Sequence, residues 1–141
     1  MSDAGRFDPA LVAAGTAALD AMKADSPGLV LAVLISDDGF EVVRTPRMGE
    51  QDGRFASMAS SVQALSEAVI HELQIGKGDA VIIQAASGVV IQQRVPGRSV
   101  VLSALFRTDE SLGRCLVGVR NCTAALDAAI SALPSGSSIT L

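Results

Sequence analysis

One stretch constrains the fold of this chain more than any other: residues 54–73, with the sequence RFASMASSVQALSEAVIHEL. At 100° per residue its apolar side chains fall on one arc, which predicts an amphipathic helix of about 20 residues and roughly 30 Å. The arc comprises Phe55, Met58, Ala59, Val62, Leu65, Val69, Ile70 and Leu73, while Gln63, Glu67, His71 and Gln74 lie opposite. Strand-like sequence stands on both sides of this helix, so the helix must connect two parts of a sheet.

A strip of small side chains runs beside the apolar arc. Ser57, Ser61, Ala64 and Ala68 recur at helical spacing. Small side chains let another surface approach closely, so the strip is a candidate contact face. The same residues also fit a simpler interpretation, in which they favour the helix or face water.

The composition excludes several classes of protein. With 49% hydrophobic and 18% charged residues in 141, the chain is long and apolar enough for one domain with a packed core. A net charge of −4 and only 3% aromatic residues argue against binding of nucleic acid. No apolar run is long enough to span a membrane, and the N-terminus lacks a signal pattern, so we expect a cytoplasmic protein.

Five segments are predicted to be strands. Residues 29–35 and 100–106 are nearly unbroken apolar runs, which suit central strands covered on both faces. Asp37-Asp38-Gly39 predicts a hairpin turn into a strand over residues 40–45. Further strands are predicted for residues 79–85 and 89–95, separated by a turn at Ser87-Gly88.

Two more helices are predicted at the ends of the domain. Asp8-Pro9 is typical of a helix start, and this helix should run to about Lys23. Asp109 is predicted to open the last helix, with Glu110 in its first turn and Pro134 ending it.

Together these elements predict an α+β sandwich of the α/β class with the order α-β-β-α-β-β-β-α. Pairing the most apolar strands at the centre gives a five-stranded antiparallel sheet with strand order 2-1-5-4-3. The long helix would cross one face, and the other two helices would cover the opposite face. The domain is expected to span residues 7–133, with flexible tails at 1–6 and 135–141.

The two edges of the predicted sheet differ in chemistry. Glu41, Arg44 and Pro46 protect one edge, whereas the other edge has neither charge nor proline. Its residues are Ala80, Val81, Ile82, Ile83 and Gln84. The simplest cover for such an edge is its own copy about a two-fold axis, which would give a ten-stranded sheet with the two long helices side by side and the small strip at their contact. The alternatives are a cover by the chain's own tail or by a different protein.

Three segments in order resemble the roadblock/dynein light-chain family, in particular its bacterial MglB-like members. They are the hairpin GLVLAVLISDDGF, the helix entry RFASMASSVQALSEAV and the strand-to-helix transition VLSALFRTDESLG. The resemblance covers roughly residues 7–133. It implies a roadblock fold, homodimerisation through the third strand and second helix, and a small Ras-like GTPase as partner. In the MglB-like subset the dimer stimulates GTP hydrolysis without a catalytic arginine of its own, whereas other members are scaffolds.

If a GTPase is the partner, we expect it to contact the outer face of the paired long helices. The residues expected there are Ser60, Gln63, Glu67 and His71. No catalytic constellation is apparent, because His71 is the only histidine and the Gly76-Lys77-Gly78 segment lacks phosphate-loop spacing. Cys115 and Cys122 are expected to be buried thiols.

The sequence therefore predicts a homodimeric binding module that regulates or scaffolds a small Ras-like GTPase, with no enzyme activity, cofactor or metal of its own. A small-molecule sensor, with its ligand between sheet and helix, or a purely structural dimerisation domain is the alternative.

Overall fold

The computed structural model describes residues 7–47 and 53–133. Three helices and five strands follow the predicted order: α1 Pro9–Asp25, β1 Leu29–Ser36, β2 Glu41–Thr45, α2 Arg54–Leu73, β3 Val81–Ala85, β4 Gly88–Arg94, β5 Val100–Phe106 and α3 Leu112–Ser131. The tails predicted for residues 1–6 and 135–141, most of the loop before α2, and the proline predicted to end the last helix lie outside the described residues.

The five strands form one antiparallel sheet with the order β2-β1-β5-β4-β3, which confirms the predicted topology. The apolar strands β1 and β5 lie at its centre, with Leu34 opposite Leu102. The β1–β2 hairpin closes at Gly39, whose φ of 90° is a conformation that glycine adopts without steric cost.

Helices α1 and α3 pack together on one face of the sheet and enclose the main hydrophobic core. Leu11 and Leu19 of α1 and Val119 and Leu126 of α3 are fully buried there, as the helical periodicity predicts. The predicted start of α1 is also confirmed. The Asp8 carboxylate caps the helix by accepting a hydrogen bond of 2.8 Å from the Ala10 N–H.

The start of α3 differs from the prediction by two residues. Ser111, and not Asp109, is its N-cap, because the Ser111 hydroxyl accepts a hydrogen bond from the Arg114 N–H at 3.2 Å. The Asp109 carboxylate is engaged by the Arg107 guanidinium at 3.3 Å, and Glu110 precedes the first turn. Serine and aspartate are both preferred N-cap residues, so the sequence alone does not distinguish Asp109 from Ser111.

Helix α2 covers the opposite face, but its buried side is not the one that its apolar arc predicts. The residues buried against the sheet are Ala56, Ala59 and Gln63. From the apolar arc, Met58, Leu65 and Val69 face outwards and are 52%, 67% and 53% exposed. The predicted orientation of Gln63, on the outer polar side, is therefore wrong, since this side chain is 7% exposed and lies between helix and sheet.

Strand β3 is the far edge of the sheet, and it pairs only with β4 among the described strands. Ile82, Ile83, Gln84 and Ala85 are exposed along it. Among the residues that the structure describes, no helix is long and apolar enough to cross a membrane.

Candidate functional site

Helix α2 is attached to the sheet by a small apolar cluster, in which Ala56 and Ala59 lie with two β1 side chains, and by polar contacts. Gln92 of β4 is buried beneath the helix, and its side-chain amide donates hydrogen bonds to the Ala59 carbonyl at 2.8 Å and to Gln63 Oε1 at 3.2 Å. Gln63 in turn donates to Glu67 Oε2 at 3.0 Å. At the start of the helix, the Ser60 hydroxyl donates to the Asp37 carbonyl at 2.8 Å. The only buried apolar side chains that α2 contributes are two alanines.

Arg94, at the end of β4, joins α2 to two turns of the sheet. Its Nε and Nη2 donate to the two carboxylate oxygens of Glu67 at 2.8 and 3.0 Å, a bidentate geometry. Its Nη1 lies 2.8 Å from Asp37 Oδ1 in the β1–β2 turn and 2.9 Å from the Arg98 carbonyl in the β4–β5 turn. One guanidinium therefore fixes the position of three elements.

The ion pair changes the titration of both partners. The hydrogen bonds from Arg94 hold the pKa of the Glu67 carboxyl below its ordinary value, against an opposing effect of burial. The hydrogen bond to Glu67 likewise raises the pKa of the Arg94 guanidinium. Both side chains are partly exposed, which limits the free energy that the pair contributes.

The outward side of α2 carries a continuous row of apolar side chains, Met58, Leu65 and Val69, which we call the α2 stripe. They recur at helical spacing. Ile83 of β3 is also 45% exposed. Val81 of β3 pairs with Gln92, whose side chain contacts α2, so Val81 projects from the face of the sheet that α2 covers. Ile83 is two residues further along the strand and therefore projects from the same face.

The residues predicted for the dimer interface lie close to this surface. Val81, Ile82, Ile83 and Gln84 are in the edge strand, whereas Ala80 precedes it and is packed against the main core. Ser57, Ser61, Ala64 and Ala68 are exposed on α2, beside the stripe. The Ser61 hydroxyl donates to the Ser57 carbonyl one turn earlier.

The residues predicted to contact a GTPase lie elsewhere on α2. Ser60, Gln63 and Glu67 are engaged in the contacts with the sheet and the β1–β2 turn described above. His71 is exposed and has no hydrogen-bond or ion-pair partner in the described part of the chain. The structure thus brings Gln63, Glu67 and His71 to one side of α2, facing a cleft and the sheet and not the outer surface.

The sequence analysis did not predict two features of this region: the polar attachment of α2 and the exposure of its stripe. The polar attachment is indicated by a pattern in the sequence. Gln92 and Arg94 lie on the same side of β4, and Gln63 and Glu67 are one turn apart on α2. Two polar pairs with matching spacing on a strand and a helix indicate that these surfaces face each other.

The two cysteine thiols are buried and are not activated as nucleophiles. Burial raises the pKa of the Cys122 thiol to about 12 and also raises the pKa of Cys115, so both remain thiols near neutral pH. Within residues 7–47 and 53–133, no cluster of three or more His, Cys, Asp and Glu side chains is placed to hold a metal ion.

Solved structures similar to this chain share one fold. Myxococcus xanthus MglB matches with a TM-score of 0.79 and 14% identity over 89% of this chain and 95% of its own. A roadblock/LC7 domain from Streptomyces avermitilis matches with a TM-score of 0.73 and 14% identity over 81% and 95%. An MglB described as having a tetrameric arrangement matches with a TM-score of 0.73 and 16% identity over 86% and 90%.

No protein-family model and no curated protein matches the sequence. The structural similarity spans most of the chain, so the domain has the roadblock/LC7 fold, as the sequence resemblance implies. At these identities the similarity concerns the fold.

Proposed function

We propose that this protein is a homodimeric binding module that regulates or scaffolds a small Ras-like GTPase. The observation that carries the proposal is the pairing of an uncovered edge strand with an outward-facing apolar stripe on α2. The sequence resemblance to MglB-like proteins, and the fold shared with MglB, support a GTPase as the partner.

The edge strand explains why a second copy is the first partner. Val81–Ala85 presents unpaired backbone groups and an uncharged surface, which is an aggregation hazard unless it is covered. Antiparallel pairing of two β3 strands about a two-fold axis would extend the sheet to ten strands. It would also bring the two α2 helices to the same face of that sheet.

The α2 stripe supplies the apolar part of this interface. Three large apolar side chains facing water on one helix are unfavourable in an isolated monomer, and burying each contributes roughly 1.5–3 kcal/mol. We therefore assign the centre of the helix contact to Met58, Leu65 and Val69, with the small strip Ser57, Ser61, Ala64 and Ala68 at its side. Ile82 and Ile83 would flank the strand pairing.

The GTPase contact is assigned to α2 residues that the second copy leaves accessible. Of the four predicted residues, His71 has a free side chain, and Ser60 and Glu67 remain partly exposed. Gln63 would act indirectly, by holding Glu67 through its hydrogen bond of 3.0 Å. Any effect on hydrolysis would come from a change in the GTPase's own catalytic groups, through preferential binding of one of its conformations.

Self-association is tested by the solution mass of the wild type and of the double variant Ile82→Lys/Ile83→Lys, measured by light scattering. The wild type is expected to be a dimer and the variant a folded monomer, because a charged edge cannot pair. Val117→Lys is the control, since Val117 is an apolar residue on α3 that is 54% exposed, against 41% for Ile82 and 45% for Ile83. A monomeric wild type, or a double variant that remains a dimer, would contradict the proposal.

A second pair of variants distinguishes the two candidate contact arcs of α2. Leu65→Arg alters the stripe, and Ser61→Arg alters the small strip one turn away. We expect Leu65→Arg to weaken the dimer more strongly. The reverse order would assign the centre of the contact to the small strip.

Partner recognition is tested by titrating candidate small GTPases, loaded with GDP or a GTP analogue, against the dimer in calorimetry. Nucleotide-dependent binding is expected, and it should weaken when His71 is changed to Glu. Single-turnover GTP hydrolysis with and without the dimer then separates a regulator of hydrolysis from a scaffold. If no small GTPase of the source genome binds, the proposal of a GTPase partner is contradicted, whereas the proposal of a homodimer is not affected.

A further inference from the structure

A cleft lies between the second half of α2, the α2–β3 loop and the β4–β5 turn. Its volume is about 610 Å³, within the range of roughly 300–1,000 Å³ that is typical of small-molecule sites. Ile70 and His71 line it from the helix, residues 76–79 from the loop, and Pro96 from the turn. It opens beside the first residue of the edge strand, Val81.

The carboxylates of the cleft are already neutralised. Glu67 is held by Arg94 at 2.8 Å. Asp79 accepts from Arg120 at 2.7 Å and from Gln93 at 3.3 Å. Neither carboxylate therefore offers an unpaired negative charge to a ligand.

The side-chain donors that remain belong to Ser66, His71 and Lys77, and none of the three has a hydrogen-bond or ion-pair partner among the residues described. In a chain of net charge −4, the unpaired charge in this cleft is thus the Lys77 ammonium. An ammonium donates three hydrogen bonds and accepts none, so it selects an anion.

The loop backbone adds further donors at the same place. The N–H groups of Gly76, Lys77 and Gly78 make no hydrogen bond within residues 53–133. The competing acceptors at the end of α2 are occupied, since the Ile70 carbonyl accepts from Ile75 at 3.3 Å and the His71 carbonyl from Gln74 at 3.2 Å. Successive free backbone N–H groups next to a lysine are typical of anion sites.

Apolar side chains form part of the wall, together with the polar Gln63 and Gln93: Ile70, Ala80, Val81 and Pro96. Ile70 lies close to the loop, because even a Cβ at Gly78 would lie 2.9 Å from Ile70 Cδ1. The cleft therefore combines donors at its mouth with an apolar wall.

We propose that this cleft binds a small amphipathic anion, one with a single carboxylate or phosphate group on a short apolar body. The charged group would lie between Lys77, His71 and the free loop N–H groups, and the apolar body against Ile70 and Pro96. Ligand binding here requires neither a GTPase nor nucleotide, so it can be measured apart from the function proposed above, with which it shares His71.

The test is a titration of the full-length protein, observed by ¹H–¹⁵N NMR, with hexanoate and with hexyl phosphate. Saturable shifts in the amides of residues 76–79 are expected with at least one of them, and the tighter ligand identifies the preferred head group. Hexanamide removes the charge and inorganic phosphate removes the apolar body, so both should bind more weakly.

Two substitutions complete the test. Lys77→Gln should weaken the binding by about fivefold, the effect of losing one partly exposed ion pair. Arg114→Gln removes the same charge from the exposed surface of α3 and should leave the binding unchanged.

Three outcomes would overturn the proposal: no saturable shift with either ligand, binding unaffected by Lys77→Gln, or hexanamide binding as tightly as hexanoate. Inorganic phosphate binding as tightly as hexyl phosphate would overturn the part assigned to the apolar wall.

Discussion

The two faces of the sheet are held to their helices by different forces. On the face of α1 and α3, large apolar side chains such as Leu19, Leu126 and Phe106 are fully buried in one continuous core. On the face of α2, the helix buries two alanines and a glutamine. The sheet contributes Val33 and Ile35 of β1, which cluster with the alanines, and the polar side chains Gln92 and Arg94. Ser103 of β5, the cross-strand neighbour of Gln92, is fully buried and adds a further polar side chain.

The difference identifies which face is complete, in the sense that its large apolar side chains are buried within one chain. Apolar burial provides most of the free energy of folding, and the α1/α3 face obtains it within one chain. Helix α2 instead turns its large apolar side chains outwards and small and polar ones inwards. Large apolar side chains that lie exposed together on one helix mark an interaction surface. Under the function proposed above, a partner would cover the α2 face.

The largest effect should come from the complete face. Leu126→Ala removes a fully buried side chain from the main core and should cost about 3 kcal/mol of unfolding free energy, because a cavity remains. Urea denaturation at fixed protein concentration measures this loss.

Leu65→Ala is the matched control on the other face. Leu65 is 67% exposed, so its truncation should change the stability of a monomeric background, such as Ile82→Lys/Ile83→Lys, by less than about 0.5 kcal/mol. A loss comparable to that of Leu126→Ala would mean that α2 packs by its apolar side and would contradict the comparison.

The next effect concerns the buried amide beneath α2. Gln92→Ala leaves the Ala59 carbonyl and Gln63 Oε1 without their donor, which should cost about 1–3 kcal/mol. Hydrogen exchange should locate the loss in α2, with little change in α1 and α3. Asn121→Ala, at an exposed position of α3, is the control and should be neutral. Uniformly faster exchange in all three helices would show that α2 is not a separate unit.

The packing of the α1/α3 face can be predicted from the sequence, whereas the packing of the α2 face can be predicted only in part. Apolar runs in β1 and β5, the Asp8-Pro9 cap and the periodicity of α3 each depend on contacts within a single chain, so local pattern predicts them. For α2 the same pattern gives the apolar arc and not its direction. Met58 and Ala59 are adjacent residues in that arc, yet Met58 faces water and Ala59 faces the sheet.

Sequence reasoning also placed Gln63 with solvent-exposed residues, because a glutamine on a helix is most often exposed. Its burial depends on the single partner Gln92, 29 positions away in the chain. Such pairs are specified by the tertiary fold, and composition or periodicity does not encode them. The candidate site was thus predictable as a region, by strand and helix, but not in the direction of its side chains.

A smaller effect is expected from the guanidinium that joins α2 to the turns. Arg94→Gln removes the contacts to Glu67 and Asp37, both partly exposed, and should cost no more than about 1 kcal/mol. Its signature is local: faster exchange in the second half of α2 and weaker dimerisation, because the stripe is no longer held in one position. Arg107→Gln, which breaks an exposed pair with Asp109, is the control and should change neither the exchange of α2 nor the dimerisation.

The smallest effect is the pH dependence that the same pair confers on the α2 face. Arg94 lowers the pKa of Glu67 in the folded protein from its ordinary value of 4.5, so unfolding must bind a proton near that pH. The stabilisation is therefore complete above about pH 5.5, one unit above the unfolded value, and is lost as the pH falls through the lowered folded pKa. Because Glu67 is substantially exposed, the total should stay below about 1 kcal/mol. The difference in unfolding free energy between wild type and Glu67→Gln, measured against pH, should shrink over this interval. In an Arg94→Gln background it should change much less, because only the hydrogen bond from Gln63 then lowers the pKa of Glu67. An equally steep slope without Arg94 would assign the lowered pKa to Gln63 and remove the ion pair from the account of how α2 is held.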